Sequence, residues 1–101
     1  MEHVQCTFGV TVTPAVSQVI HAEGRAFLER QRPYFRTSLL HIYLRHGPEG
    51  VICTGNLFTD AGRFHTIVER GTSVLAVKAA LAHLTEKIDT HVESCLNGEL
   101  F

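Results

Sequence analysis

The sequence predicts an α+β domain in the order β-α-β-β-β-α, a four-stranded sheet with two helices packed on one face, the double-stranded-RNA-binding-like arrangement. Two observations carry this expectation. In SVLAVKAALAHLTEKIDTHVESCL, residues Val74, Val77, Leu81, Leu84, Ile88, Val92 and Cys95 recur at three- and four-residue steps, so one helical face is apolar and needs a flat partner. Upstream, residues 38 to 70 are extended, hydrophobic and punctuated by turns, which is the pattern of a strand meander.

Each element has a local cause. Residues 3 to 11 alternate, with Val4, Cys6, Phe8 and Val10 on one side and His3, Gln5, Thr7 and Gly9 on the other, as a half-buried strand requires. Thr13 is a good N-cap, and Pro14 suits the first helical position because its missing N–H would be unpaired there. The helix should run to about Gln31, with Val16, Ile20, Gly24 and Phe27 facing inward, until Pro33 disfavours helical geometry at Arg32. Gly24 costs about 1 kcal/mol of helix propensity relative to Ala, which points to a close approach between helix and sheet.

The second strand spans Ser38 to His46, with Leu40, Ile42 and Leu44 on one side and His41, Tyr43 and Arg45 on the other. A turn at GPEG leads to Val51 to Phe58, and TDAG supplies a hairpin with Gly62 available for positive φ. Phe64, Thr66 and Val68 alternate along the fourth strand. After Gly71, Thr72 or Ser73 can cap the long helix, which is expected to close at Asn97-Gly98.

Composition narrows the function classes. At 101 residues, 45% hydrophobic and 19% charged, residues 1 to 101 are expected to form a single domain with one modest core. No apolar run reaches the roughly 18 to 20 residues that span a bilayer, and MEHVQC lacks the features of a secretory signal. Cys6, Cys53 and Cys95 are odd in number and widely spaced, so neither a disulfide framework nor a CxxC metal pattern is expected, and a reducing cytoplasm is the expected setting. All three occupy positions expected to face the core, where a thiol behaves as a small hydrophobe. No paired-carboxylate, Ser-His-Asp or phosphate-loop pattern is present, so no enzyme and no cofactor are expected.

The succession of VTPAV, FLERQRPYF, HIYLRHGPEGVICTGNLFTDAGRF and SVLAVKAALAHLTEKI resembles the short ribosome hibernation promoting factor and ribosome-associated inhibitor family, also called sigma-54 modulation proteins. The resemblance covers roughly residues 10 to 95. It implies a translation regulator that binds the small ribosomal subunit and its ribosomal RNA, blocking the decoding region under stress or in stationary phase, by occupancy and not by chemistry. Such a grip rests on Lys and Arg contacts to RNA phosphates, which are salt-dependent and read shape more than base sequence.

The net charge of −1 provides no bulk positive field, so any RNA grip must be local. The expected phosphate-contacting residues are Arg25, Arg32, Arg36, Lys78 and Lys87. Arg25 and Arg32, seven apart, share a helical face, and Lys78 and Lys87, nine apart, are expected within about a quadrant of one another. Ser17, Glu23 and Ala26 on the first helix, with His83 and Glu86 on the second, depart from the family's basic pattern. Glu29, Glu69 and Glu86 are available as surface ion-pair partners for the cations.

The histidines raise a separate possibility. His41 and His65, with His3, are expected on the sheet face opposite the helices, where three imidazoles could bind a metal or titrate near pH 6.5. The spacing matches no HExxH or zinc pattern, so solvated strand histidines are the simpler expectation. His83 and His91 could add positive charge to the second helix in mild acid. Ile52, Phe58 and Ile67 should also point away from the helices, bordered by His41, Tyr43 and His65. An apolar patch there would suit a non-enzymatic protein-binding module, with a homodimer through the outer sheet face as its natural form.

Overall fold

The structure is a computed structural model that describes residues 2–96. Its elements are β1 (Glu2–Phe8), α1 (Pro14–Gln31), β2 (Ser38–His46), β3 (Val51–Thr59), β4 (Gly62–Arg70) and α2 (Ser73–Leu96), the expected order. The sheet has strand order β1-β2-β3-β4, with β1 parallel to β2 and the other pairs antiparallel.

Register sets the two faces. Leu40 lies opposite Leu57, Ile42 opposite Gly55 and Leu44 opposite Cys53, and these six turn toward the helices together with Thr66 and Val68. Leu40, Leu44, Cys53 and Leu57 are completely buried there, as are Ile20 and Phe27 from α1 and Leu84 and Ile88 from α2. Each such large side chain contributes roughly 1.5–3 kcal/mol by leaving water. α1 packs over β1 and β2, and α2 over β3 and β4.

The local signals act as expected. Thr13 Oγ1 accepts the Val16 N–H at 3.2 Å, with Pro14 as the first helical residue. Thr72, not Ser73, caps α2, accepting the Leu75 N–H at 3.3 Å. Gly62 has φ +127°, a conformation open to glycine at the hairpin, and the Thr59 hydroxyl donates to its carbonyl at 2.8 Å. Gly24 is buried, and a Cβ there would lie 2.9 Å from Val4 Cγ1, so the missing side chain is what lets α1 approach β1.

Three expectations are corrected. The first strand ends at Phe8 and not near residue 11, because after the Gly9 N–H donates to the Leu44 carbonyl at 2.6 Å the chain bends and turns Val10 and Val12 toward the core. Arg32, expected to leave helical geometry ahead of Pro33, keeps it at φ −51° and ψ −39°, because its N–H closes a last turn on the Glu29 carbonyl at 3.3 Å. Cys95 is exposed, whereas half-buried Cys6 packs against the core as expected and Cys53 is fully buried. The cause at Cys95 is length: a 24-residue helix is about 36 Å long, whereas nine-residue strands reach about 30 Å. The last helical turn therefore overhangs the sheet, where Leu96 is 82% exposed. The expected closure at Asn97-Gly98 lies outside the described residues.

Candidate nucleic-acid interface

The expected phosphate-contacting residues separate into distinct places. Arg25 and Arg32 come together, as a spacing of seven requires, and line a depression of about 400 Å³ with His3, Val4, His21, Leu28 and Glu29. Because it takes residues from both faces of β1 and from α1, this depression runs along the open β1 edge. His21 was not anticipated as part of the group. Its signal lay in the helical period, since positions 21, 25 and 32 differ by four and seven residues and so fall in one stripe.

Lys78 and Lys87 do not share a quadrant. Nine residues at about 100° each amount to about 900°, which is half a turn. Accordingly Lys78 faces α1, its Nζ 3.9 Å from Glu23 Oε1, while Lys87 Nζ donates to the His65 carbonyl on β4. With β1 and β4 at opposite edges, Lys87 is about 14 Å or more from the arginine pair across three strand spacings. Arg36 occupies yet another place, at the start of β2, where Asp60 Oδ1 accepts its backbone N–H at 3.0 Å and that of Thr37 at 3.4 Å.

The Lys78–Glu23 pair is partly exposed, so its stabilisation is modest, well under about 1 kcal/mol. It also sets a carboxylate beside the Lys78 ammonium, which lowers the positive potential there. Of the carboxylates expected to partner cations, Glu69 instead accepts the Glu49 N–H at 2.9 Å through Oε2.

The β4 edge carries a second row. His83, Lys87 and His91 follow one another at four-residue steps along the flank of α2 that faces β4. His83 Nδ1 lies 3.5 Å from Thr66 Oγ1, and the His91 ring meets Phe64 edge-on at 5.5 Å. Both imidazoles are half-buried against the sheet, so they do not join Lys78 on an open helix surface. The molecule thus has two separated margins of basic character, one along β1 and one along β4.

On the outer sheet face, His3, His41 and His65 do not converge. His41 and His65 lie in one cross-strand row with Asn56 between them; His65 Nδ1–H donates to Asn56 Oδ1 at 2.7 Å, and His41 Nε2 is 3.0 Å from Thr7 Oγ1. Among the described residues no three His, Cys, Asp or Glu side chains gather as a metal site. The thiols are protonated at neutral pH where burial acts on them. Desolvation raises Cys6, and desolvation together with the neighbouring Cys6 pushes Cys53 up to about 12. The Cys6 Sγ lies 3.9 Å from His21 Nδ1, a contact that strand alternation could not reveal because His21 is on the helix. No helix among the described residues is long and apolar enough to cross a membrane.

The chain matches no protein-family model and no curated protein sequence. Its fold does match solved structures. A ribosomal subunit interface protein from Coxiella burnetii superposes with a TM-score of 0.70 at 18% identity, covering 90% of this chain and 98% of that one. The N-terminal domain of Thermus thermophilus Protein Y gives a TM-score of 0.64 at 12% identity, covering 89% and 94%. The α+β fold with its β-α-β-β-β-α order is therefore shared with these proteins over nearly their whole length.

Proposed function

We propose that this chain is a cytoplasmic, ribosome-associated factor of the short hibernation type, which limits translation without catalysis by occupying the decoding region of the small subunit under stress or in stationary phase. The observation that carries this reading is the fold likeness to a ribosomal subunit interface protein, which extends over 90% of this chain and 98% of that one. The local sequence resemblance supports the same conclusion from different data. Blocking a site by occupancy needs a rigid body and a few phosphate contacts, for which the arginines and lysines of the domain are the candidates.

The contacts are assigned by margin. Arg25 and Arg32, which line one depression along β1 with His3, His21 and Glu29, are the principal grip on ribosomal RNA. Lys87 on the β4 side and Arg36 at the base of the sheet make separate, weaker contacts, and Lys78 contributes least because Glu23 offsets its charge. With a net charge of −1, binding depends on these local groups and should be moderate at physiological salt.

Co-sedimentation with ribosomes at low and moderate salt tests the reading. The wild-type chain should pellet at low salt. Replacing Arg25 and Arg32 together should weaken binding at least about tenfold and reduce the salt slope by roughly 1 to 2, one for each phosphate contact removed. Lys87→Ala should have a smaller effect, additive with the arginine pair because the margins are far apart. Failure to pellet even at low salt would remove the ribosome from the account.

A further inference from the structure

The outer face of the sheet carries no helix, yet it exposes large apolar residues: Ile67 is 57% and Phe58 43% exposed, alongside half-buried Leu39, Tyr43 and Ile52. Its charges are arranged in a particular way. Cross-strand pairing places Arg45, Ile52 and Glu69 in one row near the upper end of β2, β3 and β4, and Leu39, Phe58 and Arg63 in another near the lower end. Between them lie two further rows, His41-Asn56-His65 and Tyr43-Thr54-Ile67.

These rows are complementary to themselves under one operation. A two-fold axis in the plane of the face, perpendicular to the strands, lays each strand over its own copy in reverse. The upper row then meets the second copy's lower row, so Glu69 faces the second copy's Arg63, Ile52 faces Phe58, and the aliphatic stem of Arg45 covers Leu39. The middle rows also exchange, placing His65 against Ile67. We propose that this face is the interface of a homodimer, in which two copies pack sheet against sheet with β4 antiparallel to β4.

Shape and area support the same occupant. The lower row borders a shallow hollow of about 430 Å³, lined by His3, Thr37, Ser38, Leu39, Phe58 and Thr59, and the operation delivers the second copy's Ile52 to it. Twisted sheets stack at about 30° to one another, which displaces a pair about 10 Å from the axis by about 5 Å, within reach of an arginine and a glutamate. Three strands of nine residues and one of seven present a face of about 19 Å by up to about 30 Å. Covering it on both copies removes on the order of 1,100 Å², above the roughly 1,000 Å² expected of a specific interface.

Charge decides between a second copy and an unrelated partner. Arg63 forms no ion pair among the described residues, and the opposite charge it requires stands on the same strand six residues away. Glu69 is held by the Glu49 N–H through one oxygen, and a carboxylate accepts further hydrogen bonds. The interface uses none of Arg25, Arg32, Lys78 and Lys87, which lie on the helices or at their ends, while His3 lines both the β1 depression and this hollow and Arg36 adjoins Thr37 at its rim.

Sedimentation velocity over a concentration series tests it, with thermal melting to confirm that each variant is folded. The wild-type chain should be dimeric at micromolar concentration. Ile67→Asp, at an exposed position that leaves the core intact, should be monomeric. Arg63→Glu should raise the dissociation constant about tenfold, since symmetry counts the lost pair twice, and Arg63→Glu with Glu69→Arg should return it to within about threefold of wild type. A monomeric wild type at about 100 μM, or an Ile67→Asp variant that still dimerises, would overturn the interface. A double reversal no better than the single would overturn the two-fold arrangement.

Discussion

Gly24→Ala is expected to destabilise this domain although it improves the helix. Alanine is favoured over glycine by about 1 kcal/mol in a helix interior, and Gly24 lies in the middle of α1. The new Cβ, however, would stand 2.9 Å from Val4 Cγ1, 3.3 Å from Val4 Cγ2 and 3.4 Å from Leu40 Cδ2. Valine is stiff about χ1, and Val4 is fixed by the pairing of β1 with β2, so the clash must be relieved by moving backbone. Overpacking of this kind costs about 1–3 kcal/mol, leaving a net loss of about 1 kcal/mol and a fall in Tm of about 4–8 °C for a domain of this size. Urea and thermal unfolding would measure both. The discriminating variant is Val4→Ala, which removes both clashing carbons. In that background Gly24→Ala should change sign and stabilise by about 0.5–1 kcal/mol, a coupling of about 2 kcal/mol between the two positions. Stabilisation of the wild-type background by Gly24→Ala, or an equal cost in both backgrounds, would refute the reasoning.

Two other expectations concern buried polar groups. Gln31 is 4% exposed, and its Oε1 is the one buried side-chain oxygen or nitrogen without a partner among the described residues. Gln31→Met should therefore raise stability by about 1 kcal/mol, read as a higher urea midpoint at unchanged m, and a lower midpoint would count against it. The Cys53 thiol, pushed up to about 12 by burial, holds its proton in the folded state while the unfolded chain loses it near pH 9. Its contribution to stability is thus fully present below about pH 9 and is lost as pH rises toward 12, at up to about 1.4 kcal/mol per pH unit. The stability difference between wild type and Cys53→Ala should narrow as pH rises from about 9 to 11; a constant difference would exclude the effect.

Local chemistry made most of the fold legible. Thr13-Pro14 and Gly62 act where elementary backbone rules place them, α1 ends at Gln31 as expected although Arg32 ahead of Pro33 keeps helical dihedrals, and alternation in Leu40, Ile42 and Leu44 assigned the buried side of β2 correctly. Gly24 was legible as a close approach, though not that Val4 would be the neighbour, because contact identity depends on which strand lies beneath the helix. The errors have the same origin. Cys95 belongs to the apolar stripe but overhangs a sheet shorter than the helix, and stripe periodicity carries no information about where the underlying surface stops. Lys78 and Lys87 lie half a turn apart and not within a quadrant, and even their correct angular positions do not disclose that one faces α1 and the other β4. Lateral order across a sheet is set by non-local pairing. For that reason Arg25 and Arg32 could be joined from sequence while their separation from Lys87 could not.

The parallel placement of β1 has a kinetic consequence. β2, β3 and β4 are joined by turns of four and two residues, whereas Phe8 and Ser38 are separated by 29 residues that include α1. Closing the longer connection costs about 2 kcal/mol more in chain entropy than closing a four-residue turn. The antiparallel meander can therefore assemble first, with β1 docking late and its amides among the first strand amides to exchange with solvent. The depression lined by His3, Arg25 and Arg32 exists only after that docking step. Weakening the β1–β2 seam would leave the meander folded while erasing the arginine margin, so competence to bind can be lost by local opening well before the domain unfolds.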